Sequence, residues 1–147
     1  MVQILKIKKN VSAVLLIFLF TVVNSCTHHI AFYDQYAYTQ ATSLKVDLQN
    51  LASESSSVAF ADAKADIDKV NVEMEKAFEY SNGRSKNTIS TDQYKILLGE
   101  NNFYKSFLQT WNTQSKLSPA AADEVSKKIG QIMDQIIALE SGKTKTK

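Results

Sequence analysis

The sequence predicts an all-α protein that folds as an antiparallel, up-down four-helix bundle. Three observations indicate this fold class. Apolar residues recur every three or four positions, no stretch alternates as strands do, and helix breakers are few, with one proline and four glycines among 147 residues. Four apolar stripes joined by short connections are buried when the helices pack side by side in alternating directions.

The first two predicted helices each carry one apolar stripe. In the first helix the stripe consists of Tyr33, Ala37, Ala41, Leu44, Leu48 and Leu51. In the second helix it consists of Phe60, Ala63, Ile67, Val70, Met74 and Ala77. The polar run at residues 54–57 predicts the break between them. Asn82 and Gly83 predict the end of the second helix, because glycine suits a left-handed cap.

The third predicted helix is irregular. Its apolar residues form two groups on either side of residues 99–102: Tyr94, Leu97 and Leu98, then Phe103, Tyr104, Phe107, Leu108 and Trp111. At 100° per residue the two groups centre about 100° apart around the helix axis. We therefore expect a kink, bulge or break between Gly99 and Asn102. A capping box at residues 90–93 predicts the start of this helix.

The last predicted helix begins at Pro119, which follows the capping residue Ser118 and occupies the first helical position. Its stripe consists of Ala122, Val125, Ile129, Ile132, Ile136 and Leu139. Gly142 predicts its end. We expect residues 143–147, which read Lys-Thr-Lys-Thr-Lys, to form a solvated basic tail.

The N-terminal segment has the pattern of an export signal. Lys6, Lys8 and Lys9 precede an apolar stretch at residues 11–23, and Val-Asn-Ser leads into Cys26, the only cysteine of the sequence. The stretch of about 13 apolar residues is shorter than the ~20 that span a bilayer, which disfavours a permanent membrane helix. Ordinary signal cleavage fits the residues before Cys26 less well than the lipobox of bacterial lipoproteins, which this segment resembles.

The resemblance implies a division of the chain. Residues 1–25 would be a signal peptide that is removed after Ser25, and residues 26–31 a lipidated cysteine and short tether. Residues 32–142 would form the helical domain. The thiol of Cys26 would carry a diacylglycerol, with a further acyl chain such as palmitate on its amine. Two or three acyl chains make dissociation from a membrane negligible.

Composition argues against a nucleic-acid partner. The formal net charge of +2 includes three lysines of the signal segment. Without them the chain has 14 basic and 15 acidic side chains, which gives a net charge of −1. Such a chain lacks the concentrated basic face that nucleic-acid binding needs. The sequence also has a single arginine, Arg84, although arginine is preferred for bidentate phosphate recognition.

The sequence also lacks the residues of common catalytic and cofactor sites. Its two histidines, His28 and His29, lie two and three residues after the expected lipidation site, so neither a di-iron site nor a histidine-activated nucleophile is expected within the bundle. Lipidation would consume the thiol of Cys26. We expect no enzyme activity, no cofactor and no metal; a metal ion on the histidines and Asp34 is the weaker alternative to a polar tether.

Two surfaces are candidates for contacts. Arg84 and Lys86, in the polar loop at residues 81–90, could bind a partner or an anion. An ordinary helix connection that is polar because it is exposed is the simpler explanation of this loop. Aromatic residues follow the tether and could rest on the membrane, which would hold this end of the bundle close to the bilayer: Phe32, Tyr33, Tyr36 and Tyr38. Residues 81–87 and 138–143 resemble small, uncharacterised helical lipoproteins, a resemblance that implies no activity.

Two functional hypotheses follow, and an enzyme with an unfamiliar site is a weaker third. The first is a lipid-anchored, non-enzymatic module of the bacterial envelope that binds another envelope protein. The second is a membrane-tethered bundle that binds a small molecule in a pocket near residues 99–102. Thr27, rather than aspartate, after the cysteine resembles the pattern that favours the outer membrane in Gram-negative bacteria, where the domain would lie in the periplasm.

Overall fold

The computed structural model describes residues 30–98 and 103–145. These residues contain helices and no strand, which confirms the all-α fold class. The helices are α1 (Gln35–Glu54), α2 (Lys64–Gly83), α3 (Thr88–Leu98), α4 (Phe103–Gln114) and α5 (Pro119–Ser141). The kink predicted near Gly99 and Asn102 falls outside the described residues, between the end of α3 and the start of α4.

Several helix ends lie where the sequence predicts them. The break after Glu54 is confirmed, and so is the start of α5 at Pro119. Ser118 accepts a hydrogen bond from the Ala121 amide at 3.2 Å, and Asp34 caps α1 by accepting one from the Ala37 amide at 3.0 Å. These side chains satisfy amide groups that have no partner within the helix.

Other helix ends differ from the prediction. Helix α2 begins at Lys64, so Phe60 lies in the preceding turns rather than in the helix. Gly83 has no positive φ, and the left-handed residue of this connection is instead Lys86, with φ 61°. Helix α3 begins at Thr88, before the predicted capping box, since the Thr91 amide already donates to the carbonyl of Asn87 at 3.0 Å. Ser90 lies within the helix, where it is buried and accepts a hydrogen bond from Lys143.

The most extensive helix contact is between α1 and α5. Lys45 Nζ lies 2.6 Å from Asp134, and further along α1 Gln49 donates to the carbonyl of Ser126, which precedes Asp134 in α5. The two helices therefore run in opposite directions. Gly130 permits their close approach, since a Cβ atom there would lie 2.8 Å from Gln49 Nε2. Helix α1 also contacts α2, α2 contacts α3, and α3 contacts both α4 and α5.

The core lies between these helices, and its largest fully buried apolar side chains come from α1, α3, α4 and α5. They are Leu44, Leu48, Leu51, Leu97, Trp111, Ile129, Met133 and Ile136. Trp111 packs against Phe60 and Phe107, with 5.6 Å between ring centroids in both pairs, and its indole donates to the carbonyl of Val58. None of the described helices is long and apolar enough to span a bilayer.

Candidate functional site

The predicted partner-contact residues lie at one end of the helical domain. Arg84 and Lys86 belong to the connection between α2 and α3, which meets the segment before α1 and the end of α5. We call this region the tether end and define it as residues 30–34, 80–90 and 138–145. The predicted cleavage and lipidation residues, Ser25 and Cys26, lie outside the described residues.

Hydrogen bonds join the three segments of the tether end through their backbones. The Ala31 amide donates to the carbonyl of Lys86 at 2.8 Å, and the Tyr33 amide donates to the carbonyl of Thr144 at 2.9 Å. The Arg84 guanidinium donates to the carbonyl of Phe32 at 2.5 Å. The chain is therefore fixed to the helical domain from Ala31 onward.

A buried ion cluster lies beneath these hydrogen bonds. The carboxylate of Glu140, whose side chain is 2% exposed, lies 3.1 Å from Arg84 Nη1 and 2.5 Å from Lys143 Nζ. Lys143 is 3% exposed and also donates to Asn87 and to Ser90. Buried charges are tolerated when they are paired and hydrogen-bonded, and here one carboxylate serves two cations.

Lys143 therefore does not belong to a solvated tail, and the prediction for residues 143–147 is wrong at its first residue. The physical reason is position: Lys143 lies three residues after Glu140, so the backbone beyond α5 brings the ammonium to the carboxylate. Lys145 also lies against the domain, 5.2 Å from the centroid of the Tyr33 ring. Residues 146–147 are outside the described residues.

Asp34 extends the cluster toward α1. Its carboxylate accepts a hydrogen bond from the Tyr80 hydroxyl at 2.7 Å and lies 3.8 Å from Arg84 Nε. Partial burial by itself raises the pKa of Asp34, but the Ala37 amide, the Tyr80 hydroxyl and the charge of Arg84 together hold it below its ordinary value of 3.8. Burial lowers the pKa of Lys143, and Glu140 opposes that shift.

Neutral polar side chains complete the tether end. Asn87 donates to the carbonyl of Ser81 at 3.0 Å and to its hydroxyl at 2.8 Å, while Thr91 donates to the carbonyl of Asn87. Every buried side-chain nitrogen and oxygen among residues 30–98 and 103–145 has a hydrogen-bond partner. The cluster is therefore suited to fixing three chain segments together, since its buried groups are already paired with one another.

The structure separates the roles of the two predicted contact residues. Arg84 is largely buried and engages Glu140, Asp34 and the carbonyl of Phe32. The side chain of Lys86 is exposed, while its carbonyl accepts the Ala31 amide. The anion or partner contact stays a prediction, and the exposed ammonium of Lys86 is better placed for it than the internally paired guanidinium of Arg84.

Two grooves open to solvent lie beside α4. The α4–α5 groove has a volume of about 520 Å³, and its apolar lining consists of Phe103, Phe107, Leu117, Ala121 and Val125. The α2–α4 groove has a volume of about 470 Å³, and its principal lining residues are Met74, Phe78, Leu97, Leu98, Tyr104 and Leu108. The two apolar groups of the third predicted helix face different directions around its axis, and this irregularity predicts a pocket near residues 99–102. It does not predict the α4–α5 groove.

Metal coordination finds no support in the described part of the chain, where no three histidine, cysteine or acidic side chains are placed to hold an ion. His28 and His29 fall outside it.

Comparisons with protein-family models, curated proteins and solved structures find no match. Functional conclusions therefore depend on the residues and geometry described above.

The ion cluster predicts a large difference between two acid-to-amide variants. Glu140→Gln removes the charge shared by two buried cations, and we expect it to lower the free energy of unfolding by about 3 kcal/mol. Asp134→Asn breaks the more exposed pair with Lys45 and should cost less than about 1 kcal/mol. Urea denaturation of both variants measures the difference, and equal losses would contradict a structural role for Glu140.

Asp34 predicts a pH dependence. Because its pKa is lower in the folded chain than in the unfolded chain, its carboxylate stabilises the fold above pH 3.8, and this contribution disappears as pH falls through the folded pKa. Asparagine also caps helices, so Asp34→Asn removes mainly the charge. We expect the wild-type advantage over Asp34→Asn to shrink between pH 5 and pH 2 in denaturation experiments. A constant difference would show that the charge is not responsible.

Proposed function

We propose that the mature chain is a lipid-anchored lipoprotein of the bacterial envelope that acts as a non-enzymatic protein-interaction module. The anchor is Cys26, whose surrounding sequence resembles a lipobox. In this proposal α1, α2, the α3–α4 pair and α5 form an up-down antiparallel four-helix bundle. The ion pair between Lys45 and Asp134 supports this arrangement for α1 and α5, and the contact of the Tyr36 and Tyr80 rings at 4.6 Å supports it for α1 and α2.

The α4–α5 groove is the observation that carries the interaction proposal. Apolar side chains line it, and the charged residues Glu124, Lys127 and Lys128 lie along it. Apolar contacts surrounded by charged groups are typical of grooves that bind an amphipathic helix from another protein. A volume of about 520 Å³ open to solvent leaves room for such side chains.

The position of this groove suits an anchored protein. Leu117, which lines the groove from the connection between α4 and α5, donates its amide to the carbonyl of Ser55, just beyond the C-terminal end of α1. The tether end lies at the opposite, N-terminal end of α1, about 30 Å away for a 20-residue helix. A lipid at Cys26 therefore leaves the groove accessible to an envelope partner in the periplasm, with the outer membrane as the favoured location in a Gram-negative cell.

A second candidate function is supported by the α2–α4 groove. Its volume of about 470 Å³ lies within the range of ~300–1,000 Å³ that is common for small-molecule sites. Phe78 and Tyr104 provide aromatic walls, and Glu79 and Lys105 provide charge. The groove adjoins Leu98 and Tyr104 on either side of residues 99–102, where the sequence predicts a ligand pocket. A tethered sensor or carrier of a small molecule is thus the alternative.

A matched pair of threonines tests the interaction proposal. Thr110 lines the α4–α5 groove, whereas Thr113 does not line it; both are exposed and donate to the carbonyl four residues earlier. We expect a photo-crosslinking residue at Thr110 to give one discrete protein adduct in native cells, with at least fivefold less at Thr113. Equal adducts would contradict the groove as the partner site. No adduct, together with a copurifying small molecule, would favour the second candidate.

The anchor has its own test. We expect Cys26→Ser to abolish acyl labelling and to move the protein from the membrane fraction to the soluble fraction, because no thiol remains for the lipid. Circular dichroism of the soluble variant controls for loss of the helical fold. Persistent acyl labelling and membrane association would contradict the lipoprotein assignment.

A further inference from the structure

Exposed apolar side chains gather at the tether end. Ile30, Phe32 and Ile89 are large hydrophobic residues that are 51%, 47% and 51% exposed. Ile30 and Ile89 are neighbours in space, because both line a hollow of about 170 Å³ together with Ala138 and Leu139. This grouping at one end of the domain differs from singly scattered surface residues, which need no explanation.

The exposed charge of the tether end is positive. Lys86 and Lys145 are exposed, whereas the two carboxylates of this region are occupied by internal partners. Asp34 accepts the Tyr80 hydroxyl and lies beside Arg84, and Glu140 is buried between Arg84 and Lys143. Outside the defined region, the nearest acidic residue on α2 is Glu79, which lines the α2–α4 groove.

The covalent distance to the anchor indicates what covers this surface. Only three residues separate Cys26 from Ile30, and the four Cα-to-Cα steps between them, at ~3.5 Å each, span at most about 14 Å. The next residue, Ala31, is already hydrogen-bonded to Lys86. Any lipid on Cys26 therefore keeps the tether end within that distance of the bilayer, so the bilayer is the partner that this surface meets first.

We propose that the tether end is a membrane-docking surface for an anionic phospholipid bilayer. Ile30, Phe32 and Ile89 enter the interfacial region, and Lys86 and Lys145 face the lipid phosphates. This inference rests on the proposed lipid anchor and adds that the folded domain itself contacts lipid in one orientation. Apolar and aromatic residues flanked by lysines are the composition that favours such interfaces.

Single introduced cysteines test the docking in the full lipidated chain. Because the lipid occupies Cys26, the thiol of Ile89→Cys or Val46→Cys is the only one that reacts with a nitroxide label. Val46 is 55% exposed and lies eleven residues into α1, roughly 17 Å from its start, so it is the matched control. The proteins are reconstituted in vesicles of phosphatidylethanolamine and phosphatidylglycerol.

We expect collision of the label with a water-soluble paramagnetic reagent to be at least threefold lower at position 89 than at position 46. Equal collision rates in vesicle-bound protein would overturn the docking surface. Position 89 could instead be protected before vesicles are added, with protection that increases with protein concentration. That result would overturn the docking of this surface on lipid and would indicate that a second copy of the chain covers it. Two labels per chain without vesicle binding would instead contradict the lipid anchor.

The lysines are tested with Lys86→Gln/Lys145→Gln combined with Ile89→Cys. We expect this variant to lose at least half of the protection at position 89 in anionic vesicles. Its protection in vesicles of phosphatidylcholine alone should equal that of the lysine-containing chain. Full protection of the variant in anionic vesicles would overturn the role of the lysines and of the anionic lipid.

Discussion

The carboxylate of Glu140 is the central interaction of the tether end, and the contacts that join its three chain segments depend on it. It neutralises Arg84 from the α2–α3 connection and Lys143 from the segment beyond α5. Arg84 in turn engages Asp34 and the carbonyl of Phe32, so the start of α1 joins the same cluster. Since a buried charge without partners is costly, all three segments must be in place together.

The core was largely predictable from the sequence, because apolar spacing identifies which side of a helix is buried. Leu48, Ile129 and Ile136 belong to predicted stripes and are fully buried. Phe60 fits the same spacing but lies in turns, since apolar spacing cannot distinguish a helix from compact turns that bury the same residues. The predicted stripe therefore identified Phe60 as a residue that packs against the core, but the helix itself begins later, at Lys64.

The candidate site was less predictable. Lys143 occurs in an alternating lysine and threonine run that is typical of a solvated tail, and its burial depends on Asn87, which is 56 residues away. The spacing of three residues from Glu140 is local, but no local pattern signals the contacts with Asn87 and Ser90, because the fold brings those partners to Lys143. The sequence predicts both Arg84 and Lys86 as contact residues. Their different roles depend on neighbours from other segments, which the sequence does not reveal. The α4–α5 groove likewise depends on how two helices pack rather than on the composition of either.

The hydrogen bonds of Ala31 and Tyr33 also determine how mechanical force would enter the domain. In a chain held at Cys26, tension reaches the backbone first at Ala31 and Tyr33, which are bonded to Lys86 and Thr144. The load is therefore divided between the α2–α3 connection and the segment after α5 before it reaches the first turn of α1. In a chain anchored at Cys26, these hydrogen bonds would therefore break before a pull reached the helices.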